Sequence, residues 1–219
     1  MDKTKMTPQQ VKEMFLYVGD QIIDSKPLLT EVDSAIGDGD HGIGMSVGFT
    51  EAKANLEKQD FDTVNDVFKT IGMSMISSMG GASGVIFGTL FVGGIKNLDK
   101  EEYLDVALMA SIFQKSLQAI KDRGKANLGD KTMIDSLEPA VEGLKESAEK
   151  GEKDILATLI VAEEKANEGV EKSKDYVAKF GRAKSLGERA IGFQDAGATS
   201  IWIIFKSMRE WVEESVSNE

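Results

Sequence analysis

The stretch Asp33-Ser34-Ala35-Ile36-Gly37-Asp38-Gly39-Asp40-His41-Gly42 decides how the rest of the chain is read. Three carboxylates fall within eight residues, and glycines surround the last two. Glycine lets the backbone turn sharply and leaves carboxylates free to converge. Converged carboxylates repel one another unless a cation lies between them. Hard divalent cations take all-oxygen sites of this kind, and Mg²⁺ usually shares them with a phosphate. The stretch therefore points to a metal site, with Mg²⁺ as the ion and room for a nucleotide. A solvated acidic turn that only caps a helix needs fewer carboxylates than these.

Two other readings fail on the residues. Gly37-Asp38-Gly39-Asp40-His41-Gly42 formally matches the dinucleotide pattern G-x-G-x-x-G. That fingerprint follows a strand, and Glu31-Val32-Asp33-Ser34-Ala35 is a poor one. Carboxylates in the turn would also repel a bare pyrophosphate. An EF-hand loop starting at Asp38 would need a glutamate where Phe49 stands.

Outward from this turn, composition narrows the function classes. The chain has 219 residues, 41% of them hydrophobic, which suits one domain across 1–219 with a sizeable core. Its formal net charge of −11 argues against nucleic acid as a direct partner. Nucleotides stay possible, because a bound metal reverses the local sign. With no cysteine there is no disulfide, thiolate zinc site or cysteine nucleophile. A single histidine, His41, excludes a multi-histidine metal site. The start, Met1-Asp2-Lys3-Thr4-Lys5, lacks the apolar core of a signal peptide, and no apolar run is long enough for a membrane span. The expectation is a soluble cytoplasmic protein.

Apolar periodicity predicts an all-α fold of eight helices. Thr7, Pro8 and Gln10 open the first with a capping box, and Val11, Met14, Phe15, Val18 and Ile22 are its buried face. Pro27 follows its end. Met45, Phe49, Ala52 and Leu56 mark the second. Val64, Val67, Phe68, Ile71, Met75 and Met79 mark the third, stopped by Gly80-Gly81. The fourth runs from Ala82-Ser83 to Gly93-Gly94. Asp99 and Glu102 should cap the fifth, with Tyr103, Val106, Ala110, Phe113, Leu117 and Ile120 buried and Gly124 at its end. The sixth carries Met133, Leu137, Val141 and Leu144, and Pro139 should kink it. The seventh is expected from Asp154 to Phe180, with Ile155, Leu159, Ala162, Ala166, Val170 and Val177 inward. The eighth starts near Ala198 and carries Ile201, Trp202, Phe205, Met208 and Val212. No segment reads as a strand.

The connections sort into two kinds. The second, fourth and sixth are short and plain. The first, third, fifth and seventh, at 33–42, 80–84, 123–131 and 181–197, are rich in glycine and functional side chains. In an up-and-down arrangement the odd connections share one end. Helices that begin there point their positive dipole ends and free N–H groups at a common site, which suits phosphate. Gly80-Gly81-Ala82-Ser83-Gly84 would turn amides toward an anion, although punctuation between helices explains two glycines equally well. Arg123-Gly124-Lys125 and Gly129-Asp130-Lys131-Thr132 add cations but form no Walker A loop, and alone they read as turns with surface charge. Arg182 or Lys184 could neutralise charge in phosphoryl transfer, against the usual exposed state of such residues. His41 could contact ribose or phosphate, or simply brace the turn. No residue is an obvious covalent nucleophile, so direct phosphoryl transfer to a bound acceptor is the simplest scheme.

Ile36-Gly37-Asp38-Gly39-Asp40-His41-Gly42, Gly80-Gly81-Ala82-Ser83-Gly84, Gly129-Asp130-Lys131-Thr132-Met133 and Gly181-Arg182-Ala183 with Leu186-Gly187-Glu188-Arg189 occur in that order. On these motifs the chain resembles the nucleotide-binding L subunits of dihydroxyacetone kinases, over nearly its whole length. The resemblance implies a helical barrel with ADP or ATP at one end. It implies two Mg²⁺ ions held by Asp33, Asp38 and Asp40. Nucleotide contacts would fall on His41, Gly42, Ile43, Gly44, Ala82, Ser83, Gly124, Met133, Arg182, Asp195, Ala196 and Gly197, with Arg182 also catalytic. It implies a separate K subunit that holds the sugar on a histidine. It further implies a phosphotransferase-system M subunit that rephosphorylates bound ADP from phosphoenolpyruvate, ATP being the donor in other members. Some L subunits also bind a transcription regulator, so a regulatory module is a different class of reading. Where members commonly read Gly-His-Gln-Asp-Pro-Gly, this chain has Gly192-Phe193-Gln194-Asp195-Ala196-Gly197, and Gly44 and Lys184-Ser185-Leu186 also depart from the common pattern. A subunit serving a kinase for another short ketose or polyol is the alternative that these changes support.

Overall fold

In the computed structural model, which describes residues 2–217, the first helix α1 (Pro8–Asp24) opens as its residues require. Met1, Asn218 and Glu219 of the domain expected over 1–219 lie outside the described residues. Thr7 Oγ1 accepts from the Gln10 N–H at 3.2 Å, and Gln10 Oε1 accepts from the Thr7 N–H at 2.9 Å. Two orphan amides are thereby satisfied reciprocally. Pro27 does not lead into a loop. It stands in the first turn of a further helix, α2 (Lys26–Ile36), where its missing N–H removes no hydrogen bond. Asp33 consequently sits on the last turn of a helix rather than in the acidic turn itself.

The remaining helices are α3 (His41–Glu57), α4 (Val64–Ser78), α5 (Gly81–Val92), α6 (Val106–Gly124), α7 (Ile134–Glu149), α8 (Ile155–Ser173) and α9 (Ala196–Ser217). Two boundaries differ from expectation. Asp105, not Asp99, caps α6, its Oδ1 accepting from the Leu108 N–H at 2.8 Å. Tyr103 therefore precedes the helix and is exposed. Before that cap, β2 (Leu104–Asp105) pairs antiparallel with β1 (Lys5–Met6), a bridge too short to leave a periodic signal. Helix α8 stops at Ser173 rather than Phe180, leaving Val177 exposed. The chain beyond is drawn away to another loop, where the Lys179 N–H bonds the Asp130 carbonyl at 3.1 Å. The long last connection holds a 3₁₀ helix (Arg182–Ala190) with a break at Gly187.

From α3 to α9 each helix packs on the next, and α1 packs on both α3 and α9, so eight helices close into a ring. Helix α2 lies outside that ring against α3 and α9. Six phenylalanines from six helices fill the interior: Phe15, Phe49, Phe68, Phe91, Phe113 and Phe205, all nearly inaccessible. Their rings meet edge-on or tilted, with centroids 5.2 to 6.3 Å apart. Such pairs add about 0.5–1.5 kcal/mol each beyond burial.

Helices α7 and α8 touch backbone to backbone. Pro139 has no N–H for the Asp135 carbonyl, and Gly169 of α8 packs directly on that oxygen. A methyl group at 169 would collide with the Asp135 and Ser136 main chain. Helix propensity alone favours Gly169→Ala by about 1 kcal/mol. Overpacking against atoms that cannot rotate away costs about 1–3 kcal/mol and should prevail. The variant is expected to melt at a lower temperature than wild type; a raised melting temperature would show that the helices separate freely.

Candidate functional site

Helices α3, α5, α7 and α9 begin at the same rim and surround a cavity of about 910 Å³, large enough for a nucleotide-sized ligand. Asp33, Asp38 and Asp40 converge on one side of it, offering one oxygen each within 4.8 Å of one another. Asp33 Oδ2 also accepts from the His41 N–H at 3.2 Å, which ties α2 to the first turn of α3. Burial pushes the Asp40 carboxyl upward, Asp38 and Asp33 push it further, and Arg182 opposes them. A set of carboxylate donors that repel each other at this spacing fits a hard divalent cation. Arg182 opens the 3₁₀ helix, and its Nε lies 2.8 Å from Asp38 Oδ2. Its side chain is 78% exposed, and an ion pair so exposed is worth only about 0–1 kcal/mol, so the guanidinium stays available to a phosphate.

The start of α5 lines the same cavity. Gly80 and Gly81 have φ of 65° and 62°, a region that side chains disfavour, while a Cβ at either would meet nothing. Backbone conformation, not crowding, calls for glycine there. Gly80 brings no side chain to cap the helix, so the first-turn N–H groups at Gly81, Ala82 and Ser83 have no side-chain cap. Uncapped first-turn amides form an anion site.

Helix α9 enters beside them. Asp195 Oδ2 accepts from the Ala198 N–H at 2.8 Å. Burial pushes the Asp195 carboxyl up to about 7, the Ala198 bond and Lys131 opposing and Asp135 and Asp33 assisting. His41 Nε2 lies 2.7 Å from Ser200 Oγ, so the ring braces α3 against α9. Burial lowers the His41 pKa despite the nearby Asp33 charge, which keeps the imidazole neutral.

Asp33, Asp38, Asp40, His41, Gly44, Ala82, Ser83, Met133, Arg182, Asp195, Ala196 and Gly197 line the cavity together. Three expected nucleotide contacts lie beside it. Gly42 packs on Thr30 and the Lys26 carbonyl of α2, Ile43 is exposed, and Gly124 lies behind Ile86. Lys131 is the residue that sequence reasoning passed over. It is 2% exposed, and its Nζ donates to the Ser173 carbonyl at 2.6 Å and the Phe193 carbonyl at 2.5 Å. Burial lowers its pKa, against Asp195, Asp135 and Asp175. The one signal was its place in Gly129-Asp130-Lys131-Thr132, and a lysine in a turn is ordinarily solvated.

This helical ring with carboxylates and amides at one rim has known relatives: a family model described as the DAK2 domain matches residues 35–210, and the chain belongs to that family. Within it, the chain is similar to the ADP-binding subunit DhaL of PEP-dependent dihydroxyacetone kinase 1 from Listeria innocua. The two are 40% identical over 190 residues, covering 87% of this chain and 89% of that one. The ADP-binding subunit DhaL from Escherichia coli is 34% identical over 199 residues, covering 91% and 94%. The solved dihydroxyacetone kinase of C. freundii in complex with AMP-PNP and Mg²⁺ has the same fold, with a TM-score of 0.71 at 24% identity. That match covers 96% of this chain and 36% of the other, so the chain spans about a third of that kinase.

The Asp195 titration has a testable sign. Unfolded, the carboxyl titrates near its ordinary 3.8; folded, it holds its proton to about 7. Between those values the folded state binds more protons, so rising pH lowers stability, and the loss is complete above about 7. Asp195→Asn keeps an acceptor for Ala198 and removes the charge. Urea unfolding should show the variant gaining on wild type from pH 4 to pH 7, by at most about 1.4 kcal/mol per unit. A constant difference between the two proteins across that range would contradict the raised titration of Asp195.

Proposed function

We propose that this chain is the nucleotide-binding subunit of a phosphoenolpyruvate-dependent dihydroxyacetone kinase. The observation that carries the reading is that converged carboxylates and uncapped helix amides line one cavity. Asp33, Asp38 and Asp40 hold two Mg²⁺ ions, and the first turn of α5 takes a phosphate through the amides of Gly81, Ala82 and Ser83. Mg²⁺ held by these carboxylates would offset phosphate charge. His41 keeps α3 and α9 at a fixed separation, and Arg182 turns from Asp38 to neutralise charge that grows during transfer. The acceptor, dihydroxyacetone, arrives on a separate K subunit. A phosphotransferase-system M subunit restores the phosphoryl group on bound ADP. Similarity to DhaL subunits across most of both chains supports this division of labour.

Two variants test it. Asp40→Ala removes a metal donor from the edge of the cavity and should lower Mg²⁺-dependent nucleotide affinity at least about tenfold, read by calorimetry with the helical circular dichroism unchanged. Affinity within a factor of about two of wild type would remove the carboxylates from the metal site. Arg182→Lys replaces a planar fork with a point charge. With the K subunit present, kcat should fall at least about tenfold while nucleotide affinity changes less than about threefold. An equal fall in both would make Arg182 a ground-state clamp, and no change in either would take it out of the site.

A further inference from the structure

Arg182 is carried on a long excursion between α8 and α9, and its own contact with the barrel is an exposed ion pair to Asp38. The 3₁₀ helix that it opens also touches α2, and further bonds hold the excursion at its base. At the base of the excursion, the Asp195 N–H bonds Ser173 Oγ at 2.9 Å and the Gly192 N–H bonds the Lys174 carbonyl at 2.8 Å. Lys131 reaches this base from a different loop, and its Nζ bridges the Ser173 and Phe193 carbonyls, one on each strand of the excursion. Nearer the tip, the adjacent residue Asp130 accepts from Lys179 twice, its carbonyl from the N–H at 3.1 Å and its Oδ1 from Nζ at 2.6 Å.

Consecutive residues thus grip the excursion at its base and just before Arg182. The backbone at Lys131 adopts φ of 58°, a left-handed conformation that a lysine rarely takes, and the side chain it carries is fully buried. A buried ammonium is unfavourable unless its donors are used, so packing alone would be better served by an apolar side chain. An ammonium can join two carbonyls that face each other, and no apolar side chain can.

We propose that Lys131 is a positioning residue that sets Arg182 at the carboxylate side of the cavity. The inference rests on the role given to Arg182 above. Lys131 also borders the cavity, but both of its hydrogen bonds go to main chain at the base of the excursion, and the role inferred for it is to act on transfer through Arg182.

The test compares Lys131→Met, Arg182→Ala and the double variant, each as the full chain with the K subunit. In Lys131→Met, amide hydrogen exchange across 182–190 should accelerate at least about tenfold while the α4 core is unchanged. Transfer should slow at least about tenfold with nucleotide affinity held within about threefold, and the double variant should be no slower than Arg182→Ala. Unchanged exchange at 182–190, or losses that multiply in the double variant, would overturn the inference. If Arg182→Ala alone leaves transfer unchanged, the role of Arg182 has failed first, and the inference falls with it. Should Lys131→Met not fold, Lys131→Cys can be alkylated in denaturant with 2-bromoethylamine and refolded. The chain has no cysteine, so only that position is modified, and the product restores an ammonium of nearly lysine length. Recovery of both exchange protection and transfer is expected, and failure to recover either would count against the clamp.

Discussion

A ring of helices that alternate in direction cannot distribute its termini evenly: every second helix must begin at the same rim. Here α3, α5, α7 and α9 do so, and their dipoles all present positive ends to one cavity. Alone, such a rim would collect any small anion. The last turn of α2 and the turn that follows it add the opposite charge as three carboxylates, one of them, Asp33, bonded to the first amide of α3. Amides for phosphate and carboxylates for a cation then share one space. A metal-bound nucleotide would use both at once, whereas a free anion or a free ion would use only one.

Much of this was legible in the residues. Apolar side chains at helical spacing identified the ring helices, because inward-facing positions must repeat at the helical period. The capping box at Thr7 and Gln10 came out as written. The glycine-rich connections also sorted correctly to one end, since chain direction alternates whatever the packing angles. The misread parts share a cause. Pro27 looked like a terminator, yet proline serves equally well in a first helical turn, and only the packing of Leu29 against the core chooses between the two. The end of α8 was placed too late because Val177 continues the apolar period, while the chain there is redirected by bonds to Asp130, a residue distant in sequence. Lys131 was invisible for the same reason. Its burial depends on where two other segments deposit their carbonyls, and nothing in its own neighbourhood records that.

The site also divides rigid parts from yielding ones. His41 is bonded to Ser200 and lies 5.7 Å from the Phe87 ring, between two helices of the ring. Asp33 is fixed on a helix and bonded to a main-chain amide. Arg182, in contrast, stands mostly in solvent on a 3₁₀ turn broken at Gly187. Groups that bind the same ligand throughout gain from rigidity, whereas a group that must follow charge as it moves gains from freedom within limits.

Ring closure carries a further consequence for how the molecule assembles. From α3 to α9 every pair of ring neighbours is consecutive in the chain, so those contacts form at modest loop-closure entropy. The seam between α1 and α9 is different. Tyr17 and Glu210 meet across it at a separation of 193 residues, and the entropy of joining chain ends grows with the logarithm of the intervening length. The seam is thus the least local union in the ring and raises its contact order above that of an open helical stack of the same helices. His41 and Ser200 lie 159 residues apart and meet only when the circle is complete. The cavity is in this sense a property of the finished circuit: an arc of the barrel, however well its helices pack, would have walls but no enclosure.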